Sequence, residues 1–247
     1  MNLALLLESM KIHKIKQEKE VRILFVVCYF VNIAAYFIPG SDPNLAGLVY
    51  FLNELAKGNF VVPTFTQGNF VFLGLLLLSS LLNLLLLFTY AAIYAGEVGK
   101  KTAKDAVRGV IRSLPSLGLV LFLMIVPSIL SLFPLMLPLL IISTMMYFLP
   151  LNLILGEMKL PDAVSSSYAD TKNMKFIIFF QNTLLVLLLN LAENFILALF
   201  DLRGLGAVLI SGFFIGARTM MAGRLMGLLY LNLVKKVPIV LTSKTNT

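Results

Sequence analysis

The sequence predicts an all-α, polytopic membrane protein: six transmembrane helices, amphipathic interfacial helices, and both termini cytoplasmic. Three observations carry this. Of the 247 residues, 59% are hydrophobic and only 13% are charged, whereas a soluble domain carries roughly 25% charge. The mean hydropathy of +0.94 means more apolar surface than one aqueous core can hide. Lysine and arginine are also distributed by position. The proposed inner segments (1–22, 97–112, 157–175 and those after 234) hold 16 of the 20, and the outer ones hold two, Lys57 and Arg203. That asymmetry places both ends inside and predicts a multi-pass protein of the cytoplasmic membrane. The net charge of +8 is then topological, and no nucleic-acid partner is expected.

The chain divides into a basic segment (1–20), a membrane domain (21–236) and a polar tail (237–247). In the first, Leu3, Leu6, Leu7 and Met10 fall at helical spacing and are followed by four lysines. This reads as a helix lying on an anionic leaflet or as a solvated basic tail. A signal peptide is the poorer reading, because no small-residue cleavage site follows the apolar run. Span 1 is expected over 22–38, ending at Pro39-Gly40. In the long outer segment, Leu45, Leu48, Val49, Leu52 and Leu55 predict a surface helix that stops at Gly58.

Span 2 is expected over 69–94. In the basic stretch after it, Ala106, Val107, Val110, Ile111 and Leu114 form an apolar face opposite the charges. This predicts an interfacial helix joined to span 3 at Pro115. Lys101, Lys104, Arg108 and Arg112 on it are candidate contacts for anionic lipid headgroups. Spans 3 (116–133) and 4 (135–155) make a hairpin at Pro134, with kinks expected at Pro127, Pro138 and Pro150. A cytoplasmic segment over 157–175 carries a short helix from Asp162. Asp105 and Asp162 read as caps of their helices. Span 5 (176–200), a turn at 201–204 and span 6 (205–234) complete the bundle. Gly96-Glu97 before Asp105-Ala106-Val107 and Gly156-Glu157 before Asp162-Ala163-Val164 form a weak internal repeat of the kind that accompanies duplicated spans.

Polar groups among the apolar runs are the candidate functional residues, because hydrocarbon does not solvate them. On span 5, Asn182, Asn190, Glu193 and Asn194 share one stripe. On span 2, Ser79, Asn83, Tyr90, Tyr94 and Glu97 do so, and on span 1, Cys28, Asn32 and Tyr36. Asn32, Asn83, Asn190, Glu193 and Arg218 are therefore candidates either for a polar interior or for interhelical glue. Counting positions from the span ends sets Arg218 nearer in depth to Asn83, and Glu193 nearer to Asn32, than the two charges are to each other. Arg224 is close enough to the inner surface to reach it. Gly212, Gly216, Gly223 and Gly227 form a ridge on span 6 for close packing against another backbone.

Several chemistries have no residues to support them. The one histidine, His13, lies in the basic segment and the one cysteine, Cys28, in an apolar run. No His-based metal site, Ser-His-Asp or Cys-His arrangement, or intrachain disulfide is expected. No Walker A sequence or paired intramembrane carboxylates appear. No cofactor, metal or enzymatic activity is expected.

The run from Leu153 through Gly156-Glu157-Met158-Lys159-Leu160-Pro161-Asp162-Ala163-Val164 to Asn173-Met174-Lys175 resembles a known group. It is similar to the six-span membrane domain attached to some glycerophosphodiester phosphodiesterases, and to stand-alone relatives of that domain. The layout is similar over nearly the whole chain. The resemblance implies a fold and a non-catalytic role. Two functions remain open. One is an accessory or transport-associated subunit that contacts anionic lipid, a membrane-protein partner or a second copy of itself. The other is a small-solute or lipid transporter or channel with a polar interior.

Overall fold

Long apolar runs become long helices in the computed structural model, which describes residues 3–123 and 137–237. All regular structure among these residues is helical. The helices are α1 (Leu3–Ser9), α2 (Glu18–Ala34), α3 (Ala46–Ala56), α4 (Gln67–Gly96), α5 (Ala103–Leu123), α6 (Leu137–Met145), α7 (Leu149–Ile154), α8 (Leu160–Thr171), α9 (Lys175–Leu199) and α10 (Leu205–Leu229). A π-helical turn, Tyr230–Val234, extends α10. Four helices are long and apolar enough to cross a membrane: Gln67–Gly99, Ala103–Leu123, Lys175–Leu199 and Leu205–Val234. The outer half of expected span 3, the hairpin at Pro134, Pro127 and the tail from 238 lie outside the described residues.

Several expectations are corrected. The basic segment is not one helix. After α1, the Ser9 hydroxyl turns back onto the Leu6 carbonyl at 2.6 Å, a local bond that competes with helix continuation. Turns follow to residue 17, and residues 18–20 open α2. That helix ends at Ala34, ahead of the expected Ile38. The Ser41 hydroxyl takes the Ala35 carbonyl at 2.6 Å, and the residue before Pro39 is biased away from helix.

Pro115 marks no joint: α5 runs through it as a single helix of 21 residues. A proline there removes only the bond to the Ile111 carbonyl and leaves the rest of the ladder in place. The apolar face of α5 is also narrower than expected. Its buried seam is Ala106, Val110, Ser113 and Leu117, whereas Val107, Ile111 and Leu114 are exposed.

Expected span 4 is broken between α6 and α7. Pro150 stands at the start of α7, where a proline ring is tolerated and a continuous preceding helix is not. The break frees the Met145 carbonyl, and α8 satisfies it: the hydroxyls of Ser167 and Thr171 donate to it at 2.8 and 3.4 Å. Helix α8 therefore packs into the broken segment. The caps differ as well. Thr102 caps α5, its hydroxyl accepting from the Asp105 amide at 3.3 Å while the Asp105 carboxylate accepts from the Thr102 amide at 2.9 Å. Lys159 occupies the N-cap position of α8 without a side-chain capping bond, and Asp162 lies in the first turn.

Other elements follow the expected pattern. Helix α3 ends one residue before Lys57, and Gly58 takes a left-handed φ of 85°, which glycine adopts without steric cost. Thr66 and Asn69 form a reciprocal cap at the start of α4.

Helix α10 is the centre of the packing and touches α1, α2, α4 and α9. Its glycine ridge meets two helices, chiefly side chains of one and the backbone of the other, rather than the single backbone expected. A methyl on Gly212 would meet Ile33, and one on Gly216 would meet Phe25 and Tyr29, all on α2. A methyl on Gly223 would lie 2.7 Å from the Leu87 carbonyl, and one on Gly227 3.1 Å from that of Ala91, both on α4. The ridge thus seats α2 over its first half and α4 over its second.

Candidate functional site

The polar side chains midway along the bundle pair with one another. The amides of Asn32 and Asn83 exchange hydrogen bonds: Asn83 Nδ2 donates to Asn32 Oδ1 at 2.6 Å and Asn32 Nδ2 to Asn83 Oδ1 at 3.2 Å. The Cys28 thiol donates to Asn83 Oδ1 at 3.1 Å, and the Ser79 hydroxyl to Asn32 Oδ1 at 3.3 Å. This knot ties α2 to α4. Asn83→Leu is expected to cost about 0.6–2 kcal/mol per lost bond, read as a lower melting temperature in detergent.

Glu193 and Arg218 form an ion pair at 3.0 Å between α9 and α10. The depth count left this pair possible but not favoured, with each charge nearer in depth to an asparagine, and the structure forms the pair. An arginine side chain is long, and a charge left unpaired away from water is costly, so reach outweighs the offset in register. The Arg218 Nε is buried without a partner among the described residues. Asn190 is half-buried and makes no side-chain hydrogen bond to these groups among the described residues.

Arg224 does not reach outward to solvent. It is 2% exposed and organises the N-terminal segment. Its Nε donates to the Glu8 carbonyl at 2.9 Å, Nη2 to Glu8 Oε1 at 3.0 Å and Nη1 to the Lys14 carbonyl at 3.0 Å. The guanidinium lies over the Tyr94 ring at 4.5 Å, and the Tyr90 hydroxyl donates to the Ile12 carbonyl at 2.8 Å. Glu8, Tyr90 and Tyr94 were not candidates for this role. Tyr90 and Tyr94 did stand on the polar stripe of α4, but nothing in the sequence linked them to residue 8.

The same end of the bundle gathers the other cationic segments. The Lys16 amide donates to Glu97 Oε1 at 2.8 Å, and the Gln17 side chain bonds both Lys101 and Ala103. The bends after α4 and α7 touch each other: Lys101 Nζ donates to the Leu155 carbonyl at 3.2 Å, and Arg112 pairs with Glu157 at 3.0 Å. Each bend uses a left-handed non-glycine residue, Lys100 (φ 58°) and Glu157 (φ 51°). Glu97, the counterpart of Glu157 in the weak repeat, is right-handed (φ −57°), so the matched positions differ in backbone.

Between the bends lies a hollow of about 440 Å³, lined by Lys101, Asp105, Arg108, Arg112, Leu155 and Glu157 among others. Three of the four cations singled out in the sequence converge on it. Lys104 is exposed and is not among them. The groups are not equally committed. The Asp105 carboxylate accepts from the Thr102 amide and hydroxyl. The Arg112 hydrogen bond and charge hold the Glu157 carboxyl below the usual carboxylate range, with a further pull from Lys101. The Arg108 guanidinium makes no ion pair among the described residues. Together they form a cationic recess with donors to spare, suited to an oxyanion. Sequence patterning found the cations and missed the hollow, because Leu155 and Glu157 come from a bend far along the chain.

No family model, curated protein or solved structure matches the chain.

Proposed function

We propose that this chain is a six-span protein of the cytoplasmic membrane with both termini inside. In this reading it is a non-enzymatic accessory or transport-associated subunit, and its inner end holds an anionic phosphate headgroup. The observation that carries the reading is the convergence of Lys101, Arg108 and Arg112 on one hollow between two chain bends. Described residues of the four cationic segments counted in the sequence, Lys235 for the last, lie at that end, the end the positive-inside rule assigns to the cytoplasm. Guanidinium groups there match a phosphate bidentately.

Arg108→Gln in the full-length protein is the direct test. The expected result is weaker retention of anionic lipid through purification, with an unchanged melting temperature, because Arg108 makes no ion pair that the fold needs. Equal retention of anionic and neutral lipid by the native protein would overturn the reading.

A conducting interior around Asn83, Asn190, Glu193 and Arg218 has less support. Asn83 spends its hydrogen bonds on Asn32 and Cys28, and Glu193 is paired with Arg218. Such a path predicts transport in liposomes that is lost on Glu193→Gln.

A further inference from the structure

A second hollow adjoins the cationic one. It measures about 380 Å³ and shares Lys101 and Leu155 with the first. Its character differs: Val98, Gly99, Tyr230 and Leu231 line it, with Lys235 as a further cation. The exposed surface of the first is divided between charged and apolar groups, whereas that of the second is mostly apolar. The two together present a charged compartment and an apolar one on either side of a shared wall.

The charge in the first compartment narrows its ligand. Three cations stand against two carboxylates in it, which leaves one net positive charge there, with Lys235 set apart in the apolar hollow. A phosphodiester carries a single negative charge and is neutralised there. A phosphomonoester approaches two and leaves an excess next to Glu157 and Asp105. We infer that the two hollows form one site for a phosphodiester-headed amphiphile, with the phosphate among Lys101, Arg108 and Arg112 and the acyl chain over Gly99 and Leu231. This inference rests on the headgroup reading above and adds the chain compartment and the charge state.

Gly99 supplies a clean variant. It lies in the turn after α4 with nothing within 4 Å of a built methyl, and its φ is not left-handed. Gly99→Leu therefore adds bulk at the lining of the apolar hollow without disturbing the backbone. Each methylene excluded from its place costs roughly fourfold in affinity.

The experiment uses the full-length protein in detergent with three probes. These are a short-chain lysophosphatidylglycerol below its micelle concentration, the same headgroup without the chain, and inorganic phosphate. The acylated probe is expected to bind tightest. Gly99→Leu is expected to weaken it by about tenfold or more and to leave the chain-free headgroup unaffected. Arg108→Gln is expected to weaken both. If Gly99→Leu leaves the acylated probe unchanged while Arg108→Gln weakens it, the joined site is wrong and the headgroup reading stands. If Arg108→Gln changes neither probe, the headgroup reading itself fails. Inorganic phosphate binding as tightly as the acylated probe would overturn the inference in favour of a free-anion site. Binding that appears only after deletion of residues 238–247 would overturn it in favour of the chain's own tail as occupant.

Discussion

Arg224→Ala releases the N-terminal segment. Breaking a buried ion pair by removing one member costs roughly 3–5 kcal/mol, and Lys11, 2.8 Å from the Glu8 carboxylate, offsets part of that. Here the loss also takes the donors that hold the Glu8 and Lys14 carbonyls. Two readouts are expected: a large fall in melting temperature, and new proteolytic cleavage within residues 10–17, the turns after α1. Glu8→Gln is expected to be milder, because the amide oxygen still accepts from the guanidinium. A wild-type melting temperature for Arg224→Ala would show that the contact holds nothing. The same pair sets a pH response. Burial alone raises the Glu8 carboxyl, but the hydrogen bonds and charges of Lys11 and Arg224 outweigh it and hold the group below its ordinary 4.5. A depressed carboxylate stabilises fully above its unfolded value and loses that contribution as pH falls through the folded one. Cleavage within 10–17 should therefore rise below about pH 4.5 in the native protein, and rise less in Glu8→Gln.

Gly223→Ala is expected to destabilise the protein and Gly216→Ala to be tolerated, although both glycines belong to one sequence ridge. The difference lies in what each faces. The new methyl at 223 would sit 2.7 Å from a backbone carbonyl on α4, which has no rotamer to turn away. At 216 the nearest atom is 3.6 Å away, an ordinary contact. Overpacking of this kind costs about 1–3 kcal/mol. A larger residue at 223 should separate α4 from α10 and lower the yield of folded protein. Thermal unfolding of the two alanine variants side by side decides the matter, and equal melting temperatures would refute the account in which only the α4 half of the ridge is seated on backbone.

Much of the helical layout was legible because its signals are local. Long apolar runs, Gly58 after a periodic stretch and Gly204 before another each act within a few residues of where they stand. Span 4 was misread because hydropathy is blind to a break whose freed carbonyl is satisfied by Ser167 and Thr171 on a later helix. Pro115 was misread in the other direction, since a proline signals a possible stop but does not impose one. The candidate residues divide in the same way. The stripe on α4 contained Asn83, Tyr90 and Tyr94, yet period alone does not say that Asn83 meets Asn32 or that Tyr94 lies under Arg224. Arg224 was read from its depth, and depth favoured solvent. Its true partner, Glu8, was invisible because acidic residues in a basic amphipathic segment read as its solvated face. The elbow hollow needed the second bend to come alongside the first, and no pattern in either segment announces that.

The separation between Glu8 and Arg224, 216 residues, has a consequence for assembly. At roughly 5–20 residues per second, a ribosome finishes Arg224 on the order of ten seconds or more after Glu8 has emerged. Until then α1 lacks the Arg224 guanidinium, although α2, α4, α5 and α9 are all made before it. The segment that opens the chain is thus among the last to be fixed, and its docking reports that α10 is in place. A nascent chain arrested before residue 224 should carry a protease-sensitive α1 segment, and the released full-length chain should not.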